Sequence, residues 1–229
     1  MKKFSFLHLD LFEFCLWMTS VIVITLSFII SKGSDYLNLI TSLLGVTSLI
    51  YLAKGYIAGQ ILVIIFCVLY GIISLYFRYY GEVITYVCMS LPAAIVALIS
   101  WLKHPYKDSK TVEISKLSKQ KIYILIPLTI IITIGFYFIL RAFNTTFLVV
   151  STISVTTSFV AAYLMTFRSP YYALAYTLND IVLIILWTYA SMFDINYIPM
   201  ILCFTMFLFN DLYAFYNWNV MKKKQTADF

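Results

Sequence analysis

The chain has 229 residues, of which 62% are hydrophobic, 18% aromatic and only 11% charged, whereas roughly a quarter of an ordinary soluble domain is charged. That composition excludes a water-soluble globular fold and points to lipid as the solvent. The net charge of +6 follows from cations gathered on one side of the membrane, so it does not call for a nucleic-acid partner.

Apolar stretches occupy residues 12–30, 37–53, 58–77, 83–102, 121–140, 146–166, 173–192 and 197–218. Each is close to the ~20 residues that a helix needs to cross a bilayer. Hydrocarbon offers no partner for backbone N–H and C=O groups, and the runs lack the alternation of a membrane barrel. An all-α membrane protein of about eight transmembrane helices is therefore predicted, with no strands. No small-residue cleavage site follows the first stretch, which is read as a retained helix.

Topology follows from the cations. With eight crossings and an inside N-terminus, Lys2, Lys3, Lys54, Lys103, Lys107, Lys110, Lys116, Lys119, Lys121, Arg168, Lys222, Lys223 and Lys224 fall on the cytoplasmic side, and only Lys32, Arg78 and Arg141 fall outside. Seven or nine crossings would strand one cationic terminus outside. Both termini are thus expected in the cytoplasm, and the Lys-rich 103–121 segment is a topology anchor able to touch anionic headgroups.

The first span is expected to be peripheral. In the third, Gln60, Cys67 and Ser74 recur at seven-residue intervals with Tyr70 and Gly71 beside them. Tyr70 is a site candidate, and Gln60 is either a second or a wetted residue at the cytoplasmic mouth. Pro92 is expected to kink the fourth span and free a carbonyl.

Spans two to four and six to eight share a rhythm. Lys54 and Arg168 mark the first loops, Glu82 and Asn196 the second, and Trp101 and Trp218 the last helix ends, at offsets of 114, 114 and 117 residues. Three helices end on the face opposite their start, so a parallel second copy needs one extra crossing, which 121–140 supplies. The predicted architecture is two parallel three-helix bundles joined by a linking helix, with a midplane site between the repeats. The expected parts are an N-terminal helix (1–34), a first bundle (35–102), a cytoplasmic loop with linking helix (103–145), a second bundle (146–218) and a cytoplasmic tail (219–229).

An Asp at the centre of a membrane helix costs roughly 2.5 to 3.5 kcal/mol on insertion scales, so it persists facing a cavity or a partner. Asp180 is such a residue, and Tyr176 and Trp187 fall within about 40° of it on one helical face, with Asn179 about 100° away. Its expected role is ligand contact, proton coupling or helix–helix pairing. The eighth span offers two polar stripes: Asn210, Tyr213 and Asn217 on one, Asp211 and Trp218 about 90° around. The first is expected to face the cavity and Asp211 to meet another helix or the headgroups, although the reverse satisfies the same geometry. Carboxylates and amides suit hydroxyls and carboxamides, and Trp and Tyr faces suit a flat, cationic ring.

Cys15, Cys67, Cys88 and Cys203 lie in spans without a C-x-x-C pattern and read as packing residues, and His8 and His104 as interfacial residues. With no nucleophile motif, phosphate loop or metal-ligand spacing, neither an enzyme nor a cofactor is expected.

The segments NDIVLIILW (Asn179 to Trp187) and NDLYAFYNW (Asn210 to Trp218) resemble the second half of PnuC-family vitamin transporters. YLAKGYIAGQ (51–60), Tyr70-Gly71, Tyr80-Gly81-Glu82 and Pro92 resemble the first half. The resemblance covers about 37–218. It implies the three-plus-one-plus-three fold of SWEET sugar transporters and facilitated uptake of nicotinamide riboside across a bacterial cytoplasmic membrane. It also implies a homotrimer and trapping by a cytosolic vitamin kinase. Relatives carry thiamine or riboflavin; these, a deoxynucleoside, and a role as the substrate-binding subunit of an ATP-driven importer are the alternatives. The chain departs from the pattern in having Ala93, Ala94 and Leu98 where the family tends to carry a Gln and aromatics, and in lacking a Trp-Asn-x-x-Trp motif. The expected substrate contacts are Asp180, Trp187, Asn210, Tyr213, Asn217, Tyr70, Tyr176 and Gln60.

Overall fold

A computed structural model describes residues 9–30, 36–76, 80–107, 109–193 and 195–227. Lys2, Lys3, His8, Lys32 and Arg78 lie outside these residues, and the side chain of Asn196 is likewise not described.

Among the described residues, eight helices are long and apolar enough to cross a membrane. They are α1 (Leu11–Ile30), α2 (Tyr36–Ala53), α3 (Ile57–Tyr76), a composite α4, α5 (Lys119–Ala142), α6 (Leu148–Thr166), α7 (Tyr171–Ser191) and α8 (Ile198–Ala227). Among the described residues there are no strands, only isolated bridges pairing Tyr56 with Thr111 and Pro105 with Val112. Several hydroxyls inside the helices are satisfied locally: Ser20, Thr41, Thr152 and Thr177 each donate to the carbonyl four residues back, which lets polar residues sit in an apolar medium.

Helix α4 runs through an α-turn (Tyr80–Val83), a π-helical stretch (Ile84–Ser90) and an α-helix (Leu91–Leu102). The irregularity expected of Pro92 takes the form of this widened turn just before the ring, where the Leu91 N–H reaches back to the Tyr86 carbonyl. Such π segments cluster at functional sites, and this one turns Thr85, Tyr86 and Ser90 into the central cavity.

The helices close a ring: α2 packs on α3, α3 on α4, α4 on α6, α6 on α7, α7 on α8, and α8 back on α2. The linking helix α5 stands outside the ring against α6, and α1 stands outside against both α2 and α8. Far from idle there, α1 holds buried Glu13 between the Lys54 ammonium of the first bundle and the Tyr213 hydroxyl of the second, 2.8 Å from Glu13 Oε1. Asp10 and Glu13 also cap α1 reciprocally, Glu13 N–H donating to Asp10 Oδ1 and Asp10 N–H to Glu13 Oε2.

The repeat is visible in how the bundles' first helices stop. Gly55 follows α2 with φ +67°, and Arg168 follows α6 with φ 55°. At each end two N–H groups fold back onto helix carbonyls: Gly55 to Leu52 and Tyr56 to Tyr51, Arg168 to Met165 and Ser169 to Leu164. This is the Schellman pattern, and it sets the structural register at 113 residues, one less than the Lys54–Arg168 landmark.

Residues 103–107 and 109–118 form a strap over this end of the ring. Val112 N–H donates to the Gly55 carbonyl, Ser115 N–H to the Arg168 carbonyl and Ile114 N–H to Gln225 Oε1 of α8. Arg168, nearly buried, donates to the Glu113 carbonyl and faces its carboxylate. Burial pushes the guanidinium below its ordinary value, and Glu113 opposes that shift. Helix α8, 30 residues or about 45 Å long, outruns the ~30 Å hydrocarbon core. The segment 219–227 is therefore helix rather than loose tail, retained by the two hydrogen bonds of the Gln225 amide to the strap, which apolar length alone does not reveal.

Candidate functional site

The ring encloses a cavity of about 570 Å³ lined from all six of its helices. It reaches Phe143, Asn144 and Thr146 at the end away from the strap, where these residues are exposed. Toward the strap it stops at Leu52, Ala97 and Met165.

Helix α7 contributes Tyr176, Asn179, Asp180 and Trp187. Asp180 is 3% exposed, and its Oδ2 has no partner among the described residues. Its carboxyl group stands close to that of Asp211 on α8, and both line the cavity. Asn179 is also buried, its Oδ1 accepting from the hydroxyls of Ser154 at 3.0 Å and Thr157 at 2.9 Å on α6.

Opposite, α3 contributes Gln60 and Tyr70. Gln60 is fully buried, and neither atom of its amide has a partner among the described residues. The indole N–H of Trp187 is in the same condition. A buried polar atom without a partner costs roughly 1 to 3 kcal/mol, and all of these belong to residues lining one cavity, so a ligand with donors and acceptors recovers that cost. Phe66 stacks on Tyr70 at 5.7 Å and Tyr86 lies 4.2 Å from Tyr70, making an aromatic wall on the first bundle. Trp187 and Tyr197, 5.3 Å apart, face the cavity from the second.

Three expected contacts lie elsewhere. The Asn210 amide donates to Ser20 Oγ on α1 at 3.0 Å, Tyr213 to Glu13, and Asn217 to the Ala53 carbonyl at 2.9 Å. The eighth helix thus turns the Asp211 stripe inward and spends the Asn210 stripe on helix pairing, the reverse of the expected assignment. Glu82, Tyr86, Asn179 and Asp211 join the lining without having been expected there. Tyr86 is in the π segment, where a 100° step mispoints side chains; Asp211 was separable from Asn210 by angle, but angle does not say which face is inside. Cys67 and Cys203 also line the cavity as free thiols. No metal-holding cluster occurs among the described residues.

Residues 35–220 match the model of a family described as nicotinamide mononucleotide transporter. The nicotinamide riboside transporter PnuC of Neisseria mucosa is 21% identical over 216 residues, covering 92% of this chain and 82% of the relative. A crystal structure of the vitamin B3 transporter PnuC superposes with a TM-score of 0.79 at 20% identity, covering 95% of this chain and 94% of the other.

Proposed function

The chain belongs to the nicotinamide mononucleotide transporter family, and from that premise we propose that its cargo is the unphosphorylated, cationic riboside. It is a multi-pass membrane transporter and not an enzyme. The cargo in the family's description and that in the relative's name differ by one phosphate, and the lining bears on the choice. Asp180, Asp211 and Glu82 line the cavity, and no lysine or arginine does so among the described residues. A phosphate there would meet carboxyl groups and no cation to pair with, in a medium of low dielectric. A pyridinium ring gains from the same acids and from the aromatic walls, while Gln60 and Asn179 suit its carboxamide and ribose hydroxyls. This acid-rich, base-free lining is the observation that carries the reading. Thiamine, also a cationic heterocycle, is the second reading it favours; uncharged riboflavin and deoxynucleosides gain nothing from it.

The mechanism we propose is uncoupled facilitated diffusion by alternating access, the bundles 35–102 and 146–218 rocking against each other about the midplane cavity. The charge distribution supports cytoplasmic termini in a bacterial cytoplasmic membrane. The strap supports it too, since segments assigned to one side by charge meet beneath it. The family resemblance extends the proposal to a homotrimer and to a cytosolic kinase that traps the riboside.

Purified protein, alone in proteoliposomes, is expected to exchange labelled nicotinamide riboside at rates that survive dissipation of the membrane potential and proton gradient. Exchange only with an added ATP-driven module, or its collapse with the gradients, would overturn this.

A further inference from the structure

Beneath the strap, four side chains cross between the bundles in a reciprocal pattern. From the end of α4, Ser100 Oγ donates to the Thr166 carbonyl at 2.7 Å and Trp101 Nε1 to the Met165 carbonyl at 3.0 Å. From the corresponding end of α8, Asn217 Nδ2 donates to the Ala53 carbonyl at 2.9 Å and Trp218 Nε1 to the Leu52 carbonyl at 2.8 Å. The donor pairs 100–101 and 217–218 are repeat-related, as are the acceptor pairs 52–53 and 165–166, which stand at the ends of α2 and α6; Leu52 and Met165 accept these bonds in addition to the turn N–H groups of Gly55 and Arg168. Each bundle therefore donates from its third helix to the first helix of the other.

The two indoles meet at 5.4 Å, and both are fully buried. Tyr172 fills the remaining space, 4.8 Å from Trp218, with its hydroxyl 3.3 Å from the Leu52 carbonyl. It breaks the symmetry, because the repeat-equivalent position in the first bundle is Gly59, where a Cβ would stand 2.8 Å from the Leu52 backbone nitrogen. This layer lies where the cavity ends, at Leu52, Ala97 and Met165.

We propose that Ser100–Trp101 and Asn217–Trp218 form a two-fold clasp that is the strap-side gate: it holds the bundles together while the cavity is open at the other end, and it must part for ligand to leave beneath the strap. None of its donors touches the ligand; they are positioning residues for the transport step. The inference rests on the transporter reading.

The test uses the two cavity thiols. In a background with Cys15 and Cys88 replaced by Ser, a membrane-impermeant maleimide is applied to each face of sealed vesicles. The double variant Trp101→Phe, Trp218→Phe keeps an aromatic ring at each position and removes both indole N–H donors. Labelling of Cys67 and Cys203 from the strap face is expected to rise at least tenfold over the parent background, with ligand still bound in detergent. Unchanged strap-face labelling in the folded variant would overturn the clasp. Should that variant not fold, Ser100→Cys with Thr166→Cys in a chain otherwise free of cysteine ties the bundles directly. Oxidation is then expected to stop counterflow, and reduction to restore it; full exchange in the oxidised, cross-linked protein would overturn the gate. Labelling needs no transport, so a chain that shifts its labelling but moves no ligand would sink the transporter reading and leave the clasp standing.

Discussion

Asp180→Asn is expected to weaken binding of the cationic riboside roughly a hundredfold while leaving the protein folded. The carboxyl group lies in the cavity with one oxygen unpartnered. At about 5 Å and an effective dielectric near 20, a carboxylate and a pyridinium attract by about 3 kcal/mol, which is about two decades in Kd. Asparagine keeps the volume and one acceptor, so the loss isolates charge. Asp211→Asn is expected to act in the same direction. Calorimetric titration in detergent reads this, with the uncharged dihydro form of the riboside as control: the wild-type preference for the cation should fall by the same factor in Asp180→Asn. Undiminished affinity and preference in that variant would remove Asp180 from the site.

The largest stability effect belongs to a residue outside the ring. Glu13→Ala is expected to cost about 3 kcal/mol, the scale seen when one partner of a buried ion pair is deleted and the other is left uncompensated. Glu13 is 2% exposed, and its partner Lys54 retains only 14% side-chain exposure. The same substitution orphans the Tyr213 hydroxyl and removes one half of the reciprocal α1 cap, the bond from Asp10 N–H to Glu13 Oε2. Thermal unfolding in detergent should show a markedly lower midpoint, while the folded fraction binds ligand with unchanged affinity, since Glu13 is absent from the described lining. A normal midpoint would mean that α1 is no brace between the bundles.

How much of this was legible in the sequence depended on which physical signal carried it. The eight spans were, because backbone satisfaction in lipid and helix length leave little freedom. The face of α7 was as well, since Tyr176, Asp180 and Trp187 share a stripe and all reach the cavity. Periodicity failed where two polar stripes compete on one helix. Asn210 and Tyr213 are as polar as Asp211, and only α1, packed on the far side of α8, decides that they face Ser20 and Glu13. At Tyr86 it offers no guide, because a π turn breaks the angular step there. Trp101 and Trp218 were legible as repeat landmarks, but their reciprocal bonds depend on the 113-residue register of two Schellman turns, which the Lys54–Arg168 pairing missed by one residue.

Side-by-side titration of the purified full chain with nicotinamide riboside and nicotinamide mononucleotide tests the reading of the cavity most directly. Micromolar or tighter binding of the riboside, with the nucleotide at least a hundredfold weaker, is the expected result. Equal or tighter binding of the nucleotide would contradict it, because the carboxyl-lined cavity would then be accepting a phosphate that it has no cation to pair.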